Sequence, residues 1–432
     1  MYKLIKLQNG LRVALENIDY VNSVSVGLWV ENGSRNEDKV NNGISHFIEH
    51  MLFKGTENRS SLKIVECIEE VGGQINAFTG KEATCFYGKV LDSHLELLID
   101  VLSDMLFNSK FDSEDIEKEK GVIIEEINMN EDSPEDVLMD LQCEAIWGGD
   151  SISLPILGTI DTVKSFTKEQ IIQYVKSFYI PENSVISIAG KFNPDEVVKL
   201  IQRYFGNWSS KIKKITHYSS PEILSNHLFK KKNIEQLHIS LGIPGIESGK
   251  DEIYPLLLLN NIFGGGASSI LFQKIREEKG MCYSIYSYLS TFKNTGALSI
   301  YTGLNPSYCK DVISLIKEEV DKFINSTISA EKLSKAKEQL KGNYILGLES
   351  TSSRMFSNGK SALFLNLIHT PKDIIDKIDT IDMKCISDIK EITFAKGIKS
   401  SAFVGENADI ESVKNILDGS SDGFIQSKIH SV

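Results

Sequence analysis

Histidine is scarce in this 432-residue chain, with 8 copies, and cysteine scarcer still, with 6. The cysteines (Cys67, Cys85, Cys143, Cys282, Cys309 and Cys385) form no C-x-x-C pair and follow no regular spacing. That argues against a cysteine-held zinc site and a disulfide framework, and it reads as reduced thiols in a reducing compartment. No apolar run approaches the roughly 18 residues that a membrane span needs. The first stretch, MYKLIKLQNGLRVALENIDY, shows neither a basic region leading into an apolar core nor the Arg- and Ser-rich composition of a transit peptide. The expectation is a cytoplasmic protein with no membrane partner. Basic charge is also short: 47 Lys and Arg face 59 Asp and Glu, a net −12. This argues against nucleic acid as a partner and leaves room for a basic ligand.

What is present is an ordinary folded chain, 41% hydrophobic and 25% charged, long enough for roughly two to four domains. Asn9-Gly10, set between alternating apolar residues, predicts a tight hairpin. SHLELLIDVLSDMLFN predicts an amphipathic helix capped by Ser93. The order of elements then repeats. Phe107-Asn108 precedes SEDIEKEKGVIIEEI as Phe323-Ile324-Asn325 precedes SAEKLSKAKEQLKGNYI. The strand around Gly190 matches the one around Gly405 at nearly the same offset. Two segments agreeing on one offset, roughly half the chain, imply two homologous halves. The polar, Ser-rich stretch 208–226, which holds Pro221, reads as the linker between 1–207 and 227–432. Strands and helices mix without strict alternation, so each half is expected to be α+β, a mixed sheet with helices packed on one face.

Two of the eight histidines fall within one turn of a predicted helix, in GISHFIEHMLFKG. His46, Glu49 and His50 lie at i, i+3 and i+4, on one face. The bland alternative is a pair of surface or core histidines beside a solvated glutamate. The chemical alternative is a metal shared by two imidazoles, with the carboxylate between them reaching a water; H-x-x-E-H is a spacing known from zinc proteases. A catalytic zinc usually takes three protein ligands, so another must come from elsewhere. Glu119 and Glu126, two turns apart on a later helix, are the candidates. The counterpart segment in the second half, LLNNIFGGGASSILFQKIR, holds no histidine, so the constellation exists once.

HFIEHMLFKGT, followed further along the chain by Glu126 in EKEKGVIIEEI, resembles the pitrilysin family of inverted-motif zinc peptidases. The likeness is nearest to the branch of the mitochondrial processing peptidase β subunit and its bacterial relatives. It runs through GGQINAFTGKEATCFYGKV and PILGT to FGGGASSILFQKIREEKGMCYSIYSY. The resemblance implies a zinc-dependent endopeptidase with one zinc per chain on His46, His50 and Glu126. Glu49 would be the general base and Glu119 a supporting carboxylate. Arg276 and Tyr283, seven apart, would hold the substrate carbonyl and its oxyanion, and Asn76, Ala77 and Phe78 would form a peptide-binding strand. The same resemblance implies a clamp of two halves hinged at the linker, closing on extended peptides, and a homodimer. The alternative is a non-catalytic structural or peptide-binding relative; the intact Glu49 and complete ligand set weigh against it.

Overall fold

The computed structural model describes residues 2–211 and 214–418; His430 and the end of the second half lie outside the described residues, as do Ile212 and Lys213 of the linker. The first sheet has six strands: β1 (Tyr2–Lys6), β2 (Arg12–Asn17), β3 (Ser23–Val30), β4 (Gln74–Thr79), β5 (Thr84–Leu91) and β6 (Ser184–Gly190), in the order β1-β2-β6-β3-β5-β4. The second has five: β7 (His227–Lys231), β8 (Leu237–Pro244), β9 (Cys282–Phe292), β10 (Thr295–Leu304) and β11 (Ser400–Gly405), in the order β7-β11-β8-β10-β9. Both are mixed, with one parallel pairing each, β2 with β6 and β7 with β11. The duplication is visible in these pairs. β2 begins at Arg12 and β7 at His227, β6 at Ser184 and β11 at Ser400, and the two shifts agree to within one position.

On one face of the first sheet lie α1 (Ile44–Leu52), α2 (Ser61–Glu69), α3 (Leu95–Asn108) and α4 (Ser113–Asp132). Phe47, Ile48, Met51, Leu98, Leu102, Ile116 and Ile123 from these helices interlock with Val26, Leu28 and Phe86 of the sheet. Ser93 does not cap α3; Asp92–His94 form a 3-10 turn that leads into it, and the residue before Leu95 is His94. All six cysteines are free. Among the described residues no helix is long and apolar enough to cross a membrane.

The other face of that sheet is not bare. It carries the helix Thr351–Leu365, whose Met355, Ala362 and Leu363 pack on Ala14, Trp29, Cys85, Val185 and Ala189. Glu16, buried on β2, receives Arg354 and a hydrogen bond from Asn358 Nδ2 at 2.7 Å. Arg12 Nη1 donates to the carbonyls of Ala362 and Leu363 at 2.9 Å each, a cation on the helix C-terminus where the macrodipole favours it. Removing one partner of the Glu16–Arg354 pair would strand a charge at a cost of about 3 kcal/mol, more than the loss of an exposed lysine–glutamate pair costs.

The compact units therefore differ from the contiguous stretches 1–207 and 227–432. One comprises the described residues of 1–131, 149–220 and 339–380; the other those of 132–148, 221–338 and 381–432. The second unit takes α5 (Pro134–Trp147), whose Val137 and Leu138 pack on Tyr301, Ala402 and Val404, and whose Trp147 Nε1 donates to Thr295 Oγ1 at 3.0 Å. The exchange is reciprocal and follows the repeat: α5 begins at Pro134 and the helix on the first sheet at Thr351, close to the shift that relates the strands. In the 208–226 stretch, Thr216 Oγ1 donates to Glu31 O at 2.8 Å, Tyr218 OH to Glu82 O at 3.1 Å and Arg35 Nη2 to Ser219 O at 2.9 Å. The chain is thus held on the first unit as far as Ser219.

Residues 1–207 expressed alone would lack the helix 351–365 and bare the apolar face around Trp29 and Val185. We expect that fragment to bind a hydrophobic dye and to melt without a cooperative transition, and a separate 339–380 chain to reverse both. A cooperative, dye-free 1–207 fragment would show that the sheet does not need the exchanged helix.

Candidate metal centre

The site begins with how α1 starts. Its N-cap is Gly43, at φ +94°, and it has no side chain to satisfy the first backbone N–H groups. Glu37 does so from the preceding loop: Oε2 accepts from Gly43 N at 2.7 Å and from Asn42 Nδ2 at 2.9 Å, and Oε1 from Ser45 N at 2.8 Å. Gly43 is required on two counts, since a Cβ there would also sit 2.7 Å from the Leu157 carbonyl oxygen. That contact places the PILGT stretch against the start of α1, where Asn42 Nδ2 also donates to Pro155 O at 2.8 Å.

From this fixed start, His46 and His50 lie one turn apart, edge to face, with ring centroids 4.6 Å from each other. α4 crosses so that Glu126 Oε2 lies 3.7 Å from His46 Nε2 and 3.5 Å from His50 Nε2. One ligand atom from each of the three lies within 4.8 Å of the others. Nitrogen and oxygen donors about 2.1 Å from a tetrahedral zinc sit roughly 3.4 Å apart, so these residues fit a metal with little movement. Glu119, two turns earlier on α4 and buried, instead lies behind His50: its Oε1 is 2.7 Å from Nδ1, and its Oε2 is 2.6 Å from Lys54 Nζ. Glu125 is exposed and outside the cluster.

The two imidazoles are not equivalent. Burial, helped by the neighbouring His50, pushes His46 down to about 3, so it is neutral and its approach to Glu126 is not an ion pair. Its Nδ1 has no hydrogen-bond partner among the described residues. Burial also opposes charge on His50, but the hydrogen bond and charge of Glu119, with Glu126 and Glu49, outweigh it and raise His50. Glu119 itself is lowered, because hydrogen bonds from His50 and Lys54 overcome its desolvation. An ionised Glu119 only accepts, so it holds the proton on His50 Nδ1 and leaves the Nε2 lone pair facing Glu126.

Glu49, on the same turn, is raised by burial, partly offset by a hydrogen bond from Thr79 Oγ1 to its Oε2 at 2.5 Å. Thr79 ends β4, an edge strand paired only with β5 among the described residues. Along it Asn76 and Phe78 are exposed, Phe78 by 38%, and Ala77 N donates to Asn76 Oδ1 at 2.8 Å. The structure thus brings His46, Glu49, His50, Glu119 and Glu126 together, with the 76–78 strand ending at Glu49.

Arg276 and Tyr283 belong to the second unit and are described within it. Arg276 lies in a π-helical turn, Phe272–Glu277, and its guanidinium stands 4.5 Å from the Phe272 ring centroid and 5.6 Å from that of Tyr283. Gly303 pairs with Ser284 but Leu304 with Cys282, so Tyr283 is the extra residue of a β-bulge and is 78% exposed. Bulges and π turns re-aim side chains and occur often at functional sites.

Glu37 carries no motif signal, whereas Lys54 and Thr79 fall inside the stretches HFIEHMLFKGT and GGQINAFTGKEATCFYGKV without a role assigned from sequence. Glu37 could have been suspected only as an acid a few residues before a helix lacking a capping side chain. Three outcomes follow from this geometry. Glu126→Gln should abolish tight metal binding in a calorimetric titration, while Glu125→Gln should match the unaltered protein. Proton and metal compete for His50 Nε2, whose value is raised above 6.5 in the metal-free protein. Metal affinity should therefore fall about tenfold per pH unit below that value. Glu119→Gln should weaken binding about 10- to 100-fold and move the fall to lower pH.

Comparison with known proteins bears on the family of the chain. Residues 12–160 match the family described as insulinase (peptidase family M16), and residues 165–340 match the peptidase M16 inactive domain. The chain is 42% identical over 396 residues to the uncharacterised zinc protease YmxG of Bacillus subtilis, covering 92% of this chain and 96% of the relative. It is 37% identical over 383 residues to the uncharacterised zinc protease SCO5738 of Streptomyces coelicolor, covering 87% and 83%. Among solved structures, a protease from Helicobacter pylori superposes with a TM-score of 0.84 at 19% identity, covering 94% of this chain and 99% of that one. A chain of complex III from Candida albicans does so with 0.83 at 18%, covering 96% and 99%; these two show the α+β fold alone. With family matches across both halves and a relative of 42% identity along nearly its whole length, the chain belongs to peptidase family M16, the pitrilysin family.

Proposed function

We propose that the protein is a zinc-dependent endopeptidase that hydrolyses extended peptides. The observation that carries this reading is the convergence of His46, His50 and Glu126 within 4.8 Å, with Glu49 on the same helical turn. When bound, a zinc ion there would acidify a water and polarise a carbonyl. Glu49 would accept the proton of the attacking water and return it to the leaving amine. A peptide added along β4 would gain main-chain hydrogen bonds independent of its sequence, beside Asn76, Ala77 and Phe78. Arg276 and Tyr283 are proposed to bind the substrate carbonyl and its oxyanion, a role supported by the bulge that exposes Tyr283.

The net charge of −12 favours cationic peptides through long-range attraction. The reading extends to a cytoplasmic homodimer, its assembly measurable by light scattering, trimming precursors or degrading oligopeptides. A non-catalytic relative is the second reading, since residues 165–340 match a domain described as inactive. The test is cleavage of a quenched basic peptide. We expect turnover to vanish with a chelator and return with zinc, and Glu49→Gln to keep its metal while losing nearly all activity. Tyr283→Phe should keep its metal and lose about a hundredfold in kcat. Full activity in Glu49→Gln would overturn the general-base assignment, and a metal-loaded protein inert on a broad peptide library would favour the second reading.

A further inference from the structure

We propose that Thr79 is a positioning residue that holds the Glu49 carboxylate in its working orientation and ties it to strand β4. The inference rests on the general-base reading of Glu49 given above.

Thr79 Oγ1 has two oxygens in reach: Glu49 Oε2 at 2.5 Å and Thr84 Oγ1 at 3.4 Å. The Thr84 hydroxyl gives its own proton to the Asn32 carbonyl at 2.9 Å. It therefore has no proton for Thr79, and the shorter distance assigns the Thr79 proton to Glu49. A hydroxyl–carboxylate contact of this length is a well-formed hydrogen bond. Only Oε2 is engaged in this way. Oε1 takes no hydrogen bond from the described residues and is the oxygen left to accept a proton.

The hydroxyl is itself well fixed. Thr79 pairs with Thr84 across the β4–β5 ladder, and the turn beyond is closed by Gly80 N donating to Ala83 O at 2.8 Å. A β-branched side chain has few χ1 choices on such a backbone, so strand position dictates hydroxyl position. Serine would offer the same donor with more freedom, and valine the same shape with no donor. Because Thr79 is the last residue of the free edge strand, a peptide that pairs with β4 braces the element from which the base is held. A merely structural threonine would matter for stability and not for the step that moves the proton.

The experiment places Thr79→Val and Thr79→Ser in the full-length protein with Glu49 intact, and Thr79→Val also in the Glu49→Gln background. For each protein, kcat and KM on a quenched peptide are measured separately, with zinc affinity by chelator competition and the melting temperature. We expect Thr79→Val to lower kcat about 10- to 100-fold, the worth of one charge-assisted hydrogen bond, with KM, zinc affinity and melting unchanged. Thr79→Ser should recover most of kcat, and Thr79→Val should add nothing to the residual rate of Glu49→Gln. An unchanged kcat in Thr79→Val, or an equal fractional loss in both backgrounds, overturns the inference while the peptidase reading stands. If Thr79→Val melts early, Thr79→Ala, assayed below its own melting transition, decides: a kcat lowered about 10- to 100-fold at unaltered KM supports the role, and a kcat equal to that of the unaltered protein overturns it. A zinc-loaded, unaltered protein with no turnover defeats the peptidase reading, and the inference with it.

Discussion

Glu37 fixes where α1 begins, and the site's geometry follows from that one buried carboxylate. Gly43 cannot cap its own helix, so two backbone N–H groups would be left buried without partners. Glu37 takes both, and its negative charge lies at the end of the helix dipole that favours it. Burial raises its pKa, with hydrogen bonds from Ser45, Gly43 and Asn42 working against that shift. Once the first turn is set, each later residue points about 100° further round, and His46, Glu49 and His50 have no freedom to face elsewhere. Asn32 adds a second lock, donating to Ser45 Oγ at 3.0 Å and accepting from the buried Tyr174 at 3.0 Å.

The same helix presents two imidazoles in different electrostatic states. His46 is kept neutral by burial, while His50 is backed by the chain of Glu119 and Lys54. A carboxylate as buried as Glu119 needs both partners, because an unpaired charge in that position would be expelled or neutralised. Lys54 therefore lets a second carboxylate stay ionised in the buried position behind His50. Three carboxylates and two histidines in one small volume make sense around a divalent cation and are poorly explained by packing alone.

Much of this could be read from the chain. The histidine spacing, the two-turn interval between Glu119 and Glu126, the Asn9-Gly10 hairpin and the repeat of one half in the other are local or periodic signals, and local signals survive in sequence. The exchange of α5 and the helix 351–365 between units was not legible, because amphipathicity says that a helix has a partner and not which one. A trace of it exists: Gly27 in a strand and Gly359 in a helix are small where a large side chain presses on the backbone. A Cβ on Gly27 would sit 2.3 Å from Met355 Sδ, and one on Gly359 2.2 Å from Trp29 Nε1. Glu37, Lys54 and Thr79 were hidden for another reason: each acts through a contact with a residue distant in sequence or outside any periodic pattern. The bulge at Tyr283 was likewise invisible, since it is a property of two strands in register.

The central claim is that one turn of α1 and one glutamate of α4 form a single metal centre. Anomalous diffraction at the zinc edge, from crystals grown with equimolar zinc, tests it most directly. The account predicts one strong peak per chain, bounded by His46 Nε2, His50 Nε2 and a Glu126 carboxylate oxygen, with Glu119 outside the ligand shell. A peak held by Glu119 in place of Glu126, or zinc bound only away from α1, would contradict it.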